Sequence, residues 1–263
     1  MIFVTDIFEL QQNRNIKINL IGASLPNSSD VFFRAKQEEV FQQYESARIF
    51  LRETKTDDWN HWFQNCNTEY QEVFELLFTE RMFESSLMFY NIVVDLSWVL
   101  CYVSAEYALY QKDGTISMCS MLNIEEAYKL LRKAENVVTN PNCQGNQFEY
   151  LKTMCPEFKD SINLVIDFWK NFSDANIRTL YNFIKHKGKP LYEEVENHRK
   201  SRVLGLIMNN ENCPTDIRDV QKVISLKDSI QELIEFDDNV LFPYIKELYE
   251  LLEIAIKPSP FIF

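Results

Sequence analysis

Glycine is scarce in this chain. Its 263 residues include five, Gly22, Gly114, Gly145, Gly188 and Gly205, where average usage near ~7% would give roughly eighteen. No two of them form a G-x-G pair, which excludes the glycine-rich loops that cradle nucleotide phosphates. Basic residues are also outnumbered, with 27 Lys and Arg against 39 Asp and Glu, a net charge of -12. Long-range repulsion of phosphate argues against broad, nonspecific binding to nucleic acid and leaves room only for a local basic patch. The six cysteines, Cys66, Cys101, Cys119, Cys143, Cys155 and Cys213, form no C-x-x-C pair, and His61 with Cys66 is the one close Cys/His pairing. No metal site and no cofactor are expected. The opening Met1-Ile-Phe-Val-Thr-Asp lacks a basic region, and Asp6 and Glu9 interrupt any apolar run. The expectation is a cytoplasmic protein with reduced, mostly buried thiols.

What is present is apolar and periodic. A hydrophobic share of 46% supports a substantial core. Leu87–Tyr110 is the most apolar stretch, but it carries Asn91, Asp95, Ser97, Ser104 and Glu106. An acid near the middle of a lipid-spanning helix is costly, so the reading is a buried central helix and no membrane. Helical spacing begins at Val31, after the capping choices Ser28, Ser29 and Asp30. A long helix is predicted over 68–111, with a break near Glu84-Ser85-Ser86. Further helices are predicted over Asn123–Glu135 and Phe158–Phe172 (opened by Pro156), over a segment capped by Ser173 or Asp174, over Leu191–Lys200, and from Asp228 to Ile256 with Pro243 dividing it. Short strands are predicted at 2–9, 16–22, Val203–Met208 and Val220–Leu226. The fold expected is mainly α: a helical bundle over 30–200, a β-like segment over 1–29, and a strand pair with a long helix over 201–263, giving a small β appendage from the terminal segments in one compact unit.

One cluster has a clear chemical reading. In Arg178–Lys189 the residues Arg178, Asn182 and His186 stand four apart on a predicted helix, followed by Lys187, Gly188 and Lys189. Steps of four keep a guanidinium, an amide and an imidazole on neighbouring turns. This is a phosphate-handling and proton-transfer set. The plain alternative is a helix C-terminus whose Lys185, His186 and Lys187 complement the dipole, closed by Gly188.

The Asn182–His186 pattern, Asn-x-x-Lys-His, on a helix before Lys-Gly-Lys-Pro resembles the HEPN superfamily, closest to its uncharacterised bacterial branches. The likeness covers mainly the helices from 30 to 200. It implies a helical bundle and, in many members, a metal-independent RNase of a toxin–antitoxin or defence system, working as a homodimer. The family signature is an Arg, commonly followed by a polar residue, and then a His, with four to six residues between the Arg and the His. Here Tyr181 stands where Arg would precede Asn182, and seven residues separate Arg178 from His186. The first departure points to a degenerate member that binds RNA, nucleotide or a protein partner such as an antitoxin, while the longer spacing still leaves Arg178 and His186 on one broad helix face. The alternatives are an active ribonuclease, with His186 as acid or base and Arg178 or Lys185 as the cation, and an unrelated helical structural protein. Tyr181, Lys185, Lys187, Lys189 and Asp95 are the ligand-binding candidates. Asp95 could partner Arg178 or His186, or pair structurally with a Lys or Tyr.

Three other features bear on partners. His61 between Trp59 and Trp62 could stack a base or plug the core. His198-Arg199-Lys200 with Arg202 is the densest basic patch, diluted by Glu193, Glu194 and Glu196. Glu232, Glu235, Asp237 and Asp238 read as a solubilising or partner-covering acidic face.

Overall fold

A computed structural model of the chain describes residues 28–55, 68–113, 147–198 and 221–256. The strands expected at 2–9, 16–22 and Val203–Met208, the helix at Asn123–Glu135, the aromatic segment around His61 and the basic run Arg199 to Arg202 lie outside them. Within the described residues the fold is mainly helical with one two-stranded parallel sheet.

Two long helices come first, α1 (Ser28–Glu53) and α2 (Thr68–Asp113). They pack antiparallel: Phe33 stacks on Tyr107 with ring centroids 4.4 Å apart, Tyr44 meets Tyr90, and Phe50 stacks on Phe89. α2 is the central element. Every residue from Leu100 to Leu109 is buried, as expected of a helix that is apolar on all sides. Gln71–Leu109 is long and apolar enough to cross a membrane, yet 72% of its apolar window is buried inside the bundle. Its small polar residues are satisfied locally. The side chains of Asn91, Ser97 and Ser104 donate to the carbonyls of Leu87, Val94 and Leu100 at 2.7–2.8 Å. The predicted break near Glu84-Ser85-Ser86 does not occur. Ser85 donates to the Arg81 carbonyl and Ser86 to the Ala47 carbonyl of α1, so the serines are absorbed without a kink.

Around α2 come α3 (Gln147–Met154), a 3₁₀ turn at Pro156–Phe158, α4 (Lys159–Phe172) and α5 (Asn176–His186). The strand β1 (Leu191–Tyr192) then leads into α6 (Glu193–His198). Further along, β2 (Val223–Ile224) opens α7 (Leu226–Phe236), a π turn spans Asp237–Leu241, and α8 (Phe242–Ala255) closes the bundle. The segment from Leu191, expected to be helix throughout, starts as strand. The Leu191 N–H donates to the Lys222 carbonyl at 2.9 Å, and Leu191 pairs with Val223 and Tyr192 with Ile224. Local periodicity carries no trace of that distant partner.

Glu194 fastens this junction. Its carboxylate accepts the Leu226 N–H at 2.7 Å, the Lys227 N–H at 3.0 Å and the Ser225 hydroxyl at 3.0 Å, while Ser225 caps α7 through the Asp228 N–H. Burial alone would raise its pKa. The Lys227 and Leu226 amides, its own backbone amide and the Ser225 hydroxyl outweigh burial and hold the carboxyl below its ordinary 4.5.

Pro243 divides the last helical run as expected, through a π turn in which the Phe242 N–H reaches the Asp237 carbonyl. A proline ring presses on the carbonyl four residues back, and the wider turn gives it room. Asp237, read from sequence as part of a solvated acidic face, is instead 2% exposed. It continues the buried stripe Ile230, Leu233 and Phe236. The Tyr44 hydroxyl donates to it at 2.6 Å, the Arg48 Nε lies 3.6 Å away, and Arg48 also donates to the Tyr44 oxygen at 3.2 Å. Burial, then the neighbouring Asp237, pushes the Tyr90 hydroxyl well above its ordinary pKa.

Replacing Asp237 with Ala leaves Arg48 uncompensated at a largely buried site and is expected to cost about 3 kcal/mol in urea unfolding; a loss within experimental error would remove the pair's structural role. Glu194→Ala is expected to cost about 1 kcal/mol at neutral pH. Because the folded pKa is depressed, that contribution is present above 4.5 and is lost as pH falls through the folded value. The stability gap between wild type and variant therefore closes in acid, and a gap that widened there would contradict the assignment.

Candidate functional site

The motif helix α5 forms a tight corner with α4. The Ala175 N–H donates to the Phe172 carbonyl at 3.0 Å, and Ala175, with no side-chain cap, precedes the first turn. The capping expected of Ser173 or Asp174 is absent because the Ser173 hydroxyl is turned back onto the Lys170 carbonyl. Ile177 and Leu180 are buried and set the inward face, with Ile184 packed against the core beside them.

Arg178 is held by the bundle. Its Nη1 donates to the Asn91 Oδ1 at 3.1 Å and lies 3.4 Å from the Asp95 Oδ1. The guanidinium sits 4.9 Å from the Trp169 ring, 5.8 Å from Phe172 and 5.3 Å from Tyr181. This is an aromatic cage with an acid at one side. Asp95 thus partners Arg178, one of the roles expected of it. The side chain of Asp95 is 41% exposed, however, where its place in the apolar run suggested depth, and that of Arg178 is 15% exposed.

Asn182 and His186 go elsewhere. Each step of four residues turns about 40° past a full helical turn, so His186 lies about 80° round the helix and about 12 Å along it from Arg178. Both Asn182 and His186 are exposed, as are Lys185 and Lys187, and among the described residues neither hydrogen-bonds the Arg178–Asp95 pair. Lys185 lies 5.7 Å from the Tyr181 ring. Gly188, at φ 113°, ends the helix by donating to the Phe183 carbonyl, a backbone turn that L side chains rarely adopt. Lys189 then pairs with the buried Glu80 of α2, which tethers the loop. The expected set therefore separates into an inward group (Arg178, Tyr181 and Asp95), a solvent-facing group (Asn182, Lys185, His186 and Lys187), and Lys189 as a structural clasp.

Several cations elsewhere find carboxylates: Lys36 with Glu39, Arg48 with Asp237, Arg81 with Glu84, Lys152 with Glu149 and Lys170 with Asp167. Lys185, His186 and Lys187 make no ion pair among the described residues. No group of three metal-ligating side chains occurs among the described residues. Cys101 and Cys155 are buried, and burial pushes the Cys101 thiol up to about 12, far from thiolate chemistry at neutral pH.

Sequence reasoning missed Trp169 and Phe172 as the cage, Glu80 as the clasp and Lys222 as a neighbour of the motif. Asn91 and Asp95, an i, i+4 polar pair in the most apolar helix, carried a signal for a polar partner but not its identity. No protein-family model, no curated protein and no solved structure matches this chain.

Arg178→Ala is expected to lower unfolding free energy by about 2 kcal/mol, mostly from lost packing in the cage. Asp95 is half exposed, so a double-mutant cycle with Asp95→Ala should return a coupling of only about 1 kcal/mol or less. A coupling several times larger would make the ion pair, not the cage, the reason Arg178 is held.

Proposed function

We propose that this chain is a HEPN-like protein, degenerate as a nuclease, whose motif helix binds RNA without cutting it. The observation that carries this reading is the division of the motif. Arg178 is engaged by Asn91, Asp95 and three aromatic rings, whereas Asn182, Lys185, His186 and Lys187 face solvent. Metal-free cleavage of RNA needs a proton acceptor and a transition-state cation at one phosphate. Arg178 could serve there only by leaving its cage. Tyr181, standing where the signature has Arg, takes part in that cage and supplies no cation. The exposed residues suffice for holding a phosphate backbone, through two ammonium groups, an imidazole and an amide.

The second reading is an active ribonuclease with His186 as proton acceptor and Lys185 as cation. It is favoured by the exposure of both side chains next to each other at one helix end. In a homodimer a second copy of His186 would donate the opposite proton. A cytoplasmic setting, a defence or toxin context and a neutralising protein partner belong to either reading.

The test is incubation of wild type and His186→Ala with labelled RNA in EDTA, with binding and cleavage read in parallel. Binding without cleavage by both proteins is the expected result. Cleavage that disappears in His186→Ala would establish the second reading, and an absence of both binding and cleavage would remove RNA as the ligand.

A further inference from the structure

We infer that the π turn between α7 and α8 is a phase-setting joint. It carries one residue, Val240, surplus to the helix, so that Asp237 is buried beside Arg48 at the end of α7 while α8 turns Tyr244 and Tyr249 into the core. The joint works in the same way whether or not the motif helix binds RNA.

The buried stripe reveals the surplus. In α7 it runs through Leu226, Ile230, Leu233 and Phe236 to Asp237, and in α8 through Tyr244, Ile245, Leu248, Tyr249 and Leu252. An α-helix advances about 100° per residue. Continued at that rate from α7, the α8 stripe would face about 80° away, close to the turn of one residue. Both stripes nevertheless enter the same core. On helical spacing Val240, three residues after Asp237, would carry the stripe forward. Instead Val240 is 45% exposed, and Leu241 is fully buried in its place. The π turn makes up the difference, since the Phe242 N–H reaches back five residues to the Asp237 carbonyl rather than four. Asp238, Asn239 and Val240 form its exposed side.

Distant contacts fix the phase on each side of the joint. Upstream, Asp237 accepts the Tyr44 hydroxyl at 2.6 Å, with the Arg48 Nε 3.6 Å away. Downstream, the Tyr244 and Ser97 hydroxyls lie 2.7 Å apart, Tyr244 stacks on Phe168 with centroids 3.7 Å apart, and Tyr249 donates to the Gln37 carbonyl at 2.9 Å. A straight α-helix through the same residues could satisfy one set only. Removing Val240 would allow a straight helix with both sets kept, because Leu241 would then follow Asp237 by three. The obstacle would be Pro243, whose ring would press on the Asp238 carbonyl, then four residues back.

The test is thermal melting and near-ultraviolet circular dichroism of four full-chain variants. They are the deletion of Val240, the same deletion with Pro243→Ala, Pro243→Ala alone, and the deletion of Glu247, an exposed residue of the regular helix α8. Deleting Glu247 turns either Tyr244 and Ile245 or Leu248 and Leu252 about 100° out of phase. It is expected to lower Tm by about 15 °C or more, or to abolish the cooperative transition. Deleting Val240 alone is expected to lower Tm by about 10 °C, the effect of a proline inside an α-helix. With Pro243→Ala added, Tm should return to within about 3 °C of wild type, with the aromatic dichroism kept. Pro243→Ala alone should also stay within about 3 °C, because the surplus residue still has to be carried. A double variant that melts as low as the Glu247 deletion would mean that no residue is to spare, and would overturn the joint. So would a fall of about 10 °C or more from Pro243→Ala alone, since the turn would then depend on the proline and not on the phase.

Discussion

The rest of the structure follows from the need to cover α2. A 46-residue helix whose residues from Leu100 to Leu109 are all buried cannot be hidden by one neighbour. It needs helices on every side, and the chain supplies α1 along one flank, α4 and α5 on another, and α8 returning from the far end of the sequence. Each neighbour brings aromatic rings to it. Phe33 stacks on Tyr107, Phe148 meets Tyr102 edge-on, and Tyr244, stacked on Phe168, hydrogen-bonds Ser97 at 2.7 Å. Burial of that much apolar surface is the main favourable contribution to folding. It also fixes where polar groups may sit. On α2, Asn91, Ser97 and Ser104 turn back onto their own helix, and Ser86, Asn91 and Ser97 meet a partner delivered by a neighbour.

Arg178 is such a partner, and its capture decides what the motif helix can offer. α5 lies against α2 through Ile177 and Leu180, close enough for Asn91 and Asp95 to reach the guanidinium. The residues four and eight positions on have rotated away from α2 by then. A spacing that reads as one constellation on paper is divided by the helical twist between a core contact and a solvent face. The closing loop is held separately: Lys189 is pinned to Glu80, and the β1–β2 pairing brings in Lys222.

The helices were legible because their periodicity is local. α1, α2, α4 and the last run begin and end close to where apolar spacing and proline indicate, and Pro243 marks its π turn. The small sheet was legible on one side only, since Val223–Ile224 falls inside an apolar run while its mate Leu191–Tyr192 looks like the start of a helix. Pairings across long separations were not legible. Arg178 and Asn91 are 87 positions apart, and Tyr44 and Asp237 are 193 apart. Asp237 is instructive because the stripe Ile230, Leu233 and Phe236 leads straight to it, and only its acidic neighbours made it read as surface.

The closing of the bundle by its last helices has a consequence for synthesis. Tyr44 waits for Asp237, and the Gln37 carbonyl waits for the Tyr249 hydroxyl, 212 positions later. α1 and α2 can pair as soon as both have left the ribosome. At ordinary rates of translation, the groove that α7 and α8 fill then stays open for roughly 10–30 s while about 150 further residues are made. Throughout that interval the nascent hairpin leaves Tyr90 and Ser97 without Phe236 and Tyr244, the side chains that later meet them, so the polypeptide is most prone to self-association before α7 and α8 emerge.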